Sequence, residues 1–188
     1  RDRIFVCRPS SGAEEAACAT RILTSLTRRA YRRPVTTADV QVPLDFYRQA
    51  RQGGETFDAG IRAGLARILS STSFIYRMES DAPGVKPGVA HQVSDVDLAS
   101  RLSFFFWSSI PDEKLLNLAT SGQLRQPGVL AAEVKRMIAD ERADSLVSNF
   151  TGQWLQLRNL ESKVSPDLLM FPDFDDNIRK GFRRETEM

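Results

Sequence analysis

Apolar residues recur along this chain mostly at helical spacing. Ala19, Ile22, Leu23, Leu26 and Ala30 share one face of a helix predicted over 13–33, and Pro34 ends it. Thr36 to Asp39 offers a capping box into a second helix that runs to about Arg51. Pro43 falls inside that segment and predicts a kink or a late start. After the break at Gly53-Gly54, Phe57, Ile61, Leu65, Ile68 and Leu69 form a third stripe. Ser73 to Arg77 reads either as its extension or as a short extended piece. Residues 80–93, with Asp81, Pro83, Gly84, Lys86, Pro87 and Gly88, read as a turn-rich linker.

Beyond the linker, Ser94 and Asp97 mark a new helix start, followed by Leu98, Leu102, Phe105 and Phe106. Pro111-Asp112-Glu113 opens a short helix that Gly122 stops, and Pro127 opens the next, with Leu130, Val134, Met137 and Ile138. Ala143, Leu146, Val147, Phe150, Trp154 and Leu157 predict one longer helix despite Gly152. Residues 161–173 read as loop, and Phe174, Ile178 and Phe182 begin a last helix. The expected fold is all-α: about eight helices in an irregular multi-helix bundle, with at most a short N-terminal strand. The expected division is a small helical domain at 1–75 and the start of a larger one at 76–188, cut at its C-terminus; both ends read as interior cuts.

Composition narrows the function classes. Of 188 residues, 41% are hydrophobic and 27% charged, which excludes wholesale disorder. The longest apolar run, Leu102 to Trp107, is interrupted by Ser103 and falls far short of the ~20 residues of a membrane span. A net charge of +2 is too balanced for a protein built to bind phosphate backbones. The basic residues are 21 Arg and only 5 Lys. Arg forks pair with carboxylates in a way Lys cannot, so helix-to-helix ion pairs compete with genome base composition as the explanation.

Cys7 and Cys18 are the only cysteines. They suggest a disulfide closing a small loop in an oxidising compartment; two buried free thiols are the alternative. Without CxxC, CxxCH or a Cys/His cluster, no zinc site or covalent haem attachment is expected within the chain.

Residue types with reactive or binding potential are few. His91, the only histidine, lies in the linker and reads as exposed. Arg28, Arg29, Arg32 and Arg33 gather at a helix C-terminus, where the dipole favours cations, and form a candidate docking surface for an acidic partner. Asp167, Asp173, Asp175 and Asp176 cluster before the last helix but lack a regular calcium-loop pattern, so capping and solvation are expected of them. Phe104 to Trp107 wraps aromatics around a full helical turn, and with Trp154 makes Trp107 a candidate aromatic interface. Asn149-Phe150-Thr151 fits a glycosylation acceptor, discounted because Phe150 lies on the predicted core stripe. No catalytic residue and no metal ligand is assigned.

Several segments carry a resemblance: CATRILTSLTRRAYRRPVT, SFIYRMES, DLASRLSFFFWSSIPDEKLLNLATSGQL, NFTGQWLQLRNL and FPDFDDNIRKGFRRETEM. Together they resemble a pair of adjoining domains of unknown function from large exported bacterial proteins, the planctomycete-type cytochrome-associated proteins. The resemblance covers nearly the whole chain and is most specific from Leu98 to Leu116. It implies a periplasmic or otherwise extracytoplasmic location, which favours the Cys7–Cys18 bridge, and haem c on another domain or subunit. It transfers no catalytic residue.

The expected role is a non-catalytic structural or docking module of an exported, c-type-haem-associated protein or redox assembly, whose partners are other domains or subunits, a cytochrome c among them. The alternative is an extracytoplasmic hydrolase domain acting on carbohydrate through Asp173, Asp175 or Glu185, with Trp107 or Trp154 as stacking platform. A third reading, noncovalent haem binding, needs His91 or one of Met78, Met137, Met170 and Met188 as axial ligand.

Overall fold

The structure, a computed structural model, describes residues 4–79, 84–86, 88–162, 165–167 and 169–188. Asp81, Pro83 and Pro87 of the predicted linker lie outside them. Every regular element among the described residues is helical. In order they are α1 (Gly12–Tyr31), α2 (Thr37–Gln52), α3 (Phe57–Leu69), α4 (Thr72–Ile75), α5 (Asp95–Trp107), α6 (Glu113–Thr120), α7 (Val129–Ile138), α8 (Gly152–Trp154), α9 (Leu157–Ser162) and α10 (Asp176–Glu187). A 3₁₀ turn at Glu141–Ala143 and a π-helical turn at Leu146–Thr151 lie between α7 and α8.

Local chemistry sets most boundaries. Thr36 accepts from the Asp39 N–H, and Asp39 accepts in return from the Thr36 N–H, which closes the capping box of α2. Thr56, Ser71, Ser94 and Asp112 cap α3, α4, α5 and α6 in the same side-chain-to-backbone manner. Pro43 does not delay the start of α2: the helix opens at Thr37 and continues through the buried proline. Of Ser73 to Arg77, Ser73 to Ile75 fall in the single turn α4, and Tyr76 after it is extended. Gly128 in the left-handed region, not Pro127, precedes α7. Asp175 accepts from the Asn177 and Ile178 N–H groups, so α10 starts after Phe174.

Two cores result. The first buries Ile22 and Leu23 of α1 with Leu44 and Tyr47 of α2 and Ile61 and Ile68 of α3; Ile4, Phe5 and Cys7 pack on it from the N-terminal segment. The Cys7–Cys18 disulfide, with Cα atoms 5.9 Å apart, fastens that segment to α1. The second core gathers Ala99, Phe106 and Trp107 of α5, Leu115 and Ala119 of α6, Leu124 and Met137.

The helices of the first core meet closely at α3. A Cβ at Gly64 would stand 2.7 Å from Leu23 Cδ2 and 3.0 Å from the Pro43 carbonyl oxygen, a side chain and a backbone atom without room to retreat. Gly64→Ala is therefore expected to lower stability by about 1–3 kcal/mol in urea unfolding. Gly12→Ala, with nothing within 4 Å, is the control and should shift stability by less than about 0.5 kcal/mol. Equal effects at the two positions would refute the close packing.

The long helix expected over Ala143–Leu157 is a correction. Asp140 caps the 3₁₀ turn, the π turn widens the backbone, and Gln156 at φ 59° stops the helix after α8. Gly152 adds backbone freedom in the middle of this run. Ala143 and Leu146 of the predicted stripe still pack on the second core, whereas Phe150 and Trp154 are exposed.

Candidate functional site

The four arginines at the end of α1 are placed by internal partners. Arg32 occupies the left-handed C-cap of α1 and is only 6% exposed, which removes it from any docking surface. Its guanidinium donates to the carbonyls of Ala30 (2.9 Å), Phe74 (3.3 Å), Ser73 (2.9 Å) and Tyr76 (3.2 Å), so one side chain ties the ends of α1 and α4. Burial, and then the nearby Arg77 charge, lower its pKa from the ordinary arginine value. Arg33 forks onto Asp39 at 2.8 and 2.9 Å. That bond, helped by the Thr36 N–H and against the effect of burial, holds the Asp39 carboxyl well below the usual range. Arg28 donates to Glu113 (2.5 Å) and Asn117 (2.7 Å), and Arg29 stands 3.9 Å from Glu113, which joins α1 to α6 across the two cores.

Trp107 lies inside the second core at 3% exposure. Its indole N–H donates to the Met137 carbonyl at 3.0 Å, and the Arg142 guanidinium sits over the ring at 3.6 Å. Around it runs a chain of ion pairs. Arg136 reaches Asp112 (2.7 Å) and Glu133 (2.7 Å), Arg142 reaches Asp140 (2.7 Å), and Lys114 reaches Glu133 (2.5 Å). Burial pushes Asp112 up, but the Arg136 hydrogen bond, the Leu115 N–H and the two arginine charges outweigh it and hold the carboxyl below its ordinary value. Glu133 behaves alike, with Lys114 and Arg136 overcoming its burial. Carboxylates held ionised in this way lock helices together and are poor proton donors at neutral pH.

A different surface stands open. Phe105 meets the Phe106 ring edge to face, with 5.0 Å between ring centres, yet is 53% exposed. Its ring lies 6.3 Å from that of Phe150, and Phe150 lies 6.1 Å from Trp154, which is 69% exposed. Asn149 donates to the Ser108 hydroxyl at 3.0 Å and ties the π turn to the end of α5. Three neighbouring aromatics, each more than half exposed, form an apolar strip of the kind that meets another protein surface. The premise that Phe150 is buried, used to discount the Asn149 acceptor pattern, is thus overturned.

Residues 93–188, which contain this strip and the ion-pair chain, match a family described as protein of unknown function DUF1592 (PSD4). The chain belongs to the DUF1592 family. Residues 18–79 match a second family, protein of unknown function DUF1595 (PSD5), so two domains of unknown function adjoin. No curated protein and no solved structure matches the chain.

Within the DUF1592 region, the aspartates weighed for hydrolysis or calcium are dispersed. Asp175 caps α10, and its two backbone N–H bonds hold it below the ordinary value. Asp167 accepts from the Leu169 N–H, while Asp173, Asp176 and Glu185 are exposed. Among the described residues no three His, Cys, Asp or Glu side chains converge as metal ligands. His91 is exposed, Met137 is fully buried beside Trp107, and Met78, Met170 and Met188 are exposed. Among the described residues no helix is long and apolar enough to cross a membrane. The Phe104–Trp107 run did signal an aromatic surface in the DUF1592 sequence, but not that Phe105 and Phe150, rather than Trp107, would accompany Trp154 in it.

Proposed function

We propose that this chain is a structural docking module of an exported, c-type-haem-associated protein or redox assembly, and that the Phe105–Phe150–Trp154 strip seats a haem-bearing domain or subunit. The observation that carries the reading is the strip itself. Aromatics of this size are the residues that dominate binding energy when buried at an interface, and these three stay exposed in a chain that buries Trp107 and Phe106. The Cys7–Cys18 bridge is in keeping with an oxidising, extracytoplasmic setting. The Arg-to-carboxylate pairs between α1 and α6, and around Trp107, suit a rigid scaffold that presents the strip in one orientation.

The test immobilises the chain and challenges it with the periplasmic extract of its source. The expected eluate shows the absorption bands of c-type haem. A Phe150→Ser/Trp154→Ser variant, which alters only exposed side chains, should retain roughly tenfold less haem protein. Absence of haem from the eluate, or equal retention by the variant, would overturn the reading.

A further inference from the structure

A cleft of about 420 Å³ opens between the end of α1, the α4 turn and the start of α5. Its wall includes Tyr31, packed on the first core, and Val96, packed on the second, but no residue of the aromatic strip. Its size is that of a small-molecule site. Tyr31, Tyr76 and Val96 supply apolar wall, and Arg32, Arg33 and Arg77 supply charge, opposed by the single carboxylate of Asp97.

The arginines differ in what they have left to give. Arg32 spends its guanidinium on four carbonyls, and Arg33 spends its own on Asp39 and the Pro34 carbonyl. The Arg77 guanidinium makes no hydrogen bond or ion pair among the described residues; it lies 5.4 Å from the centre of the Phe104 ring, with Arg32 5.9 Å from the same ring. Glu79, the nearby acid, is hydrogen-bonded by Arg101, and the Arg77 charge acts on it only as the weakest of its influences. Two like charges therefore converge on Phe104 without a carboxylate bonded to either. Like charges disfavour each other; burial first, and the Arg77 charge second, lower the Arg32 pKa.

A second observation comes from α5. Ser100 lines the cleft at 5% exposure, and its Oγ is the one buried side-chain oxygen or nitrogen among the described residues with no hydrogen-bond partner. Buried hydroxyls normally find partners, because an unmade bond costs free energy. A ligand oxygen would repair that deficit and accept from the Arg77 guanidinium, which has no hydrogen bond among the described residues. Asp97, held by the Ser94 hydroxyl at 2.6 Å, limits the net positive charge and so disfavours a dianion.

We propose that this cleft binds a small organic monocarboxylate with an apolar body, its carboxylate on Arg77 and the Ser100 hydroxyl and its body against Tyr31, Tyr76 and Val96. The Arg fork matches a carboxylate in plane and charge.

The test titrates the chain by calorimetry with phenylacetate, hexanoate, acetate and inorganic phosphate. Phenylacetate or hexanoate should saturate the site at about 1 mM or tighter, with acetate at least roughly tenfold weaker and phosphate weaker still. Arg77→Ala, at an exposed position, should weaken phenylacetate roughly tenfold with the fold unchanged. Ser100→Ala should weaken it roughly threefold or more, yet leave the thermal midpoint of the free protein unchanged or raised, since it removes an unpartnered hydroxyl. A merely structural Ser100 would instead lower that midpoint. The proposal falls if neither longer carboxylate saturates below about 20 mM, if phosphate binds more tightly than both, if acetate equals them, or if Arg77→Ala binds unchanged.

Discussion

Trp107→Ala is expected to destabilise the second core by about 3–5 kcal/mol, the largest effect of any single substitution foreseen here. Three losses add. The indole leaves a cavity among Ala99, Phe106, Leu115 and Met137, residues with almost no exposure and little freedom to collapse. The Met137 carbonyl loses its donor at 3.0 Å and stays buried. Arg142 loses the ring 3.6 Å beneath it, although its pairing with Asp140 remains. Trp107→Phe keeps most of the volume and should cost less, about 1–2 kcal/mol, chiefly for the missing N–H. Urea unfolding followed by circular dichroism measures both. Fluorescence gives a separate check: with Trp107 removed, the remaining emission comes from Trp154 and should have the red-shifted maximum of an exposed indole. A loss below about 1 kcal/mol for Trp107→Ala would contradict the packing described.

Removing the disulfide is the second large effect. Cys7→Ser/Cys18→Ser is expected to cost about 3 kcal/mol, because the bridge closes a short loop and restricts the unfolded chain. In the folded protein the same bond holds Ile4 and Phe5 against the first core, so its loss frees that segment as well. A reducing agent should lower the thermal midpoint of the natural chain but not that of the double-serine variant. Mass spectrometry before and after reduction should show the addition of two hydrogens. An unchanged midpoint on complete reduction would refute the contribution assigned to the bridge. Because the bridge and Trp107 serve different cores, the combined variant should lose nearly the sum of the two effects, within about 0.5 kcal/mol.

The helices were legible wherever a face and a cap agreed. Ala19, Ile22, Leu23, Leu26 and Ala30 are all buried in α1 as their spacing implied, and the Thr36–Asp39 capping box opens α2. Of the two outcomes expected at Pro43, the late start does not occur: α2 opens at Thr37 and runs through the proline, which is buried beside Gly64. The stretch from Ala143 to Leu157 misled more seriously. Its apolar spacing is compatible with one helix, yet a π turn and a left-handed Gln156 shift the register, and the side chains at Phe150 and Trp154 leave the core.

Charge was the least legible feature. Four arginines at a helix end looked like one surface, but their partners Asp39, Glu113 and the carbonyls of α4 come from other elements, one of them 85 residues away. The cleft at Arg77 and Ser100 was not legible as a site, although both residues lie in the segments SFIYRMES and DLASRLSFFFWSSIPDEKLLNLATSGQL that carry the resemblance.

Sequence alone determined that this is an all-α protein, where most helices begin, and which residues share a helical face, because periodicity and capping act over a few neighbouring residues. Tertiary structure alone decided which faces are covered, that Trp107 is enclosed while Trp154 is bare, and which carboxylates the arginines at the end of α1 meet. Those outcomes depend on the approach of helices distant in the chain, and no local pattern encodes which neighbour arrives.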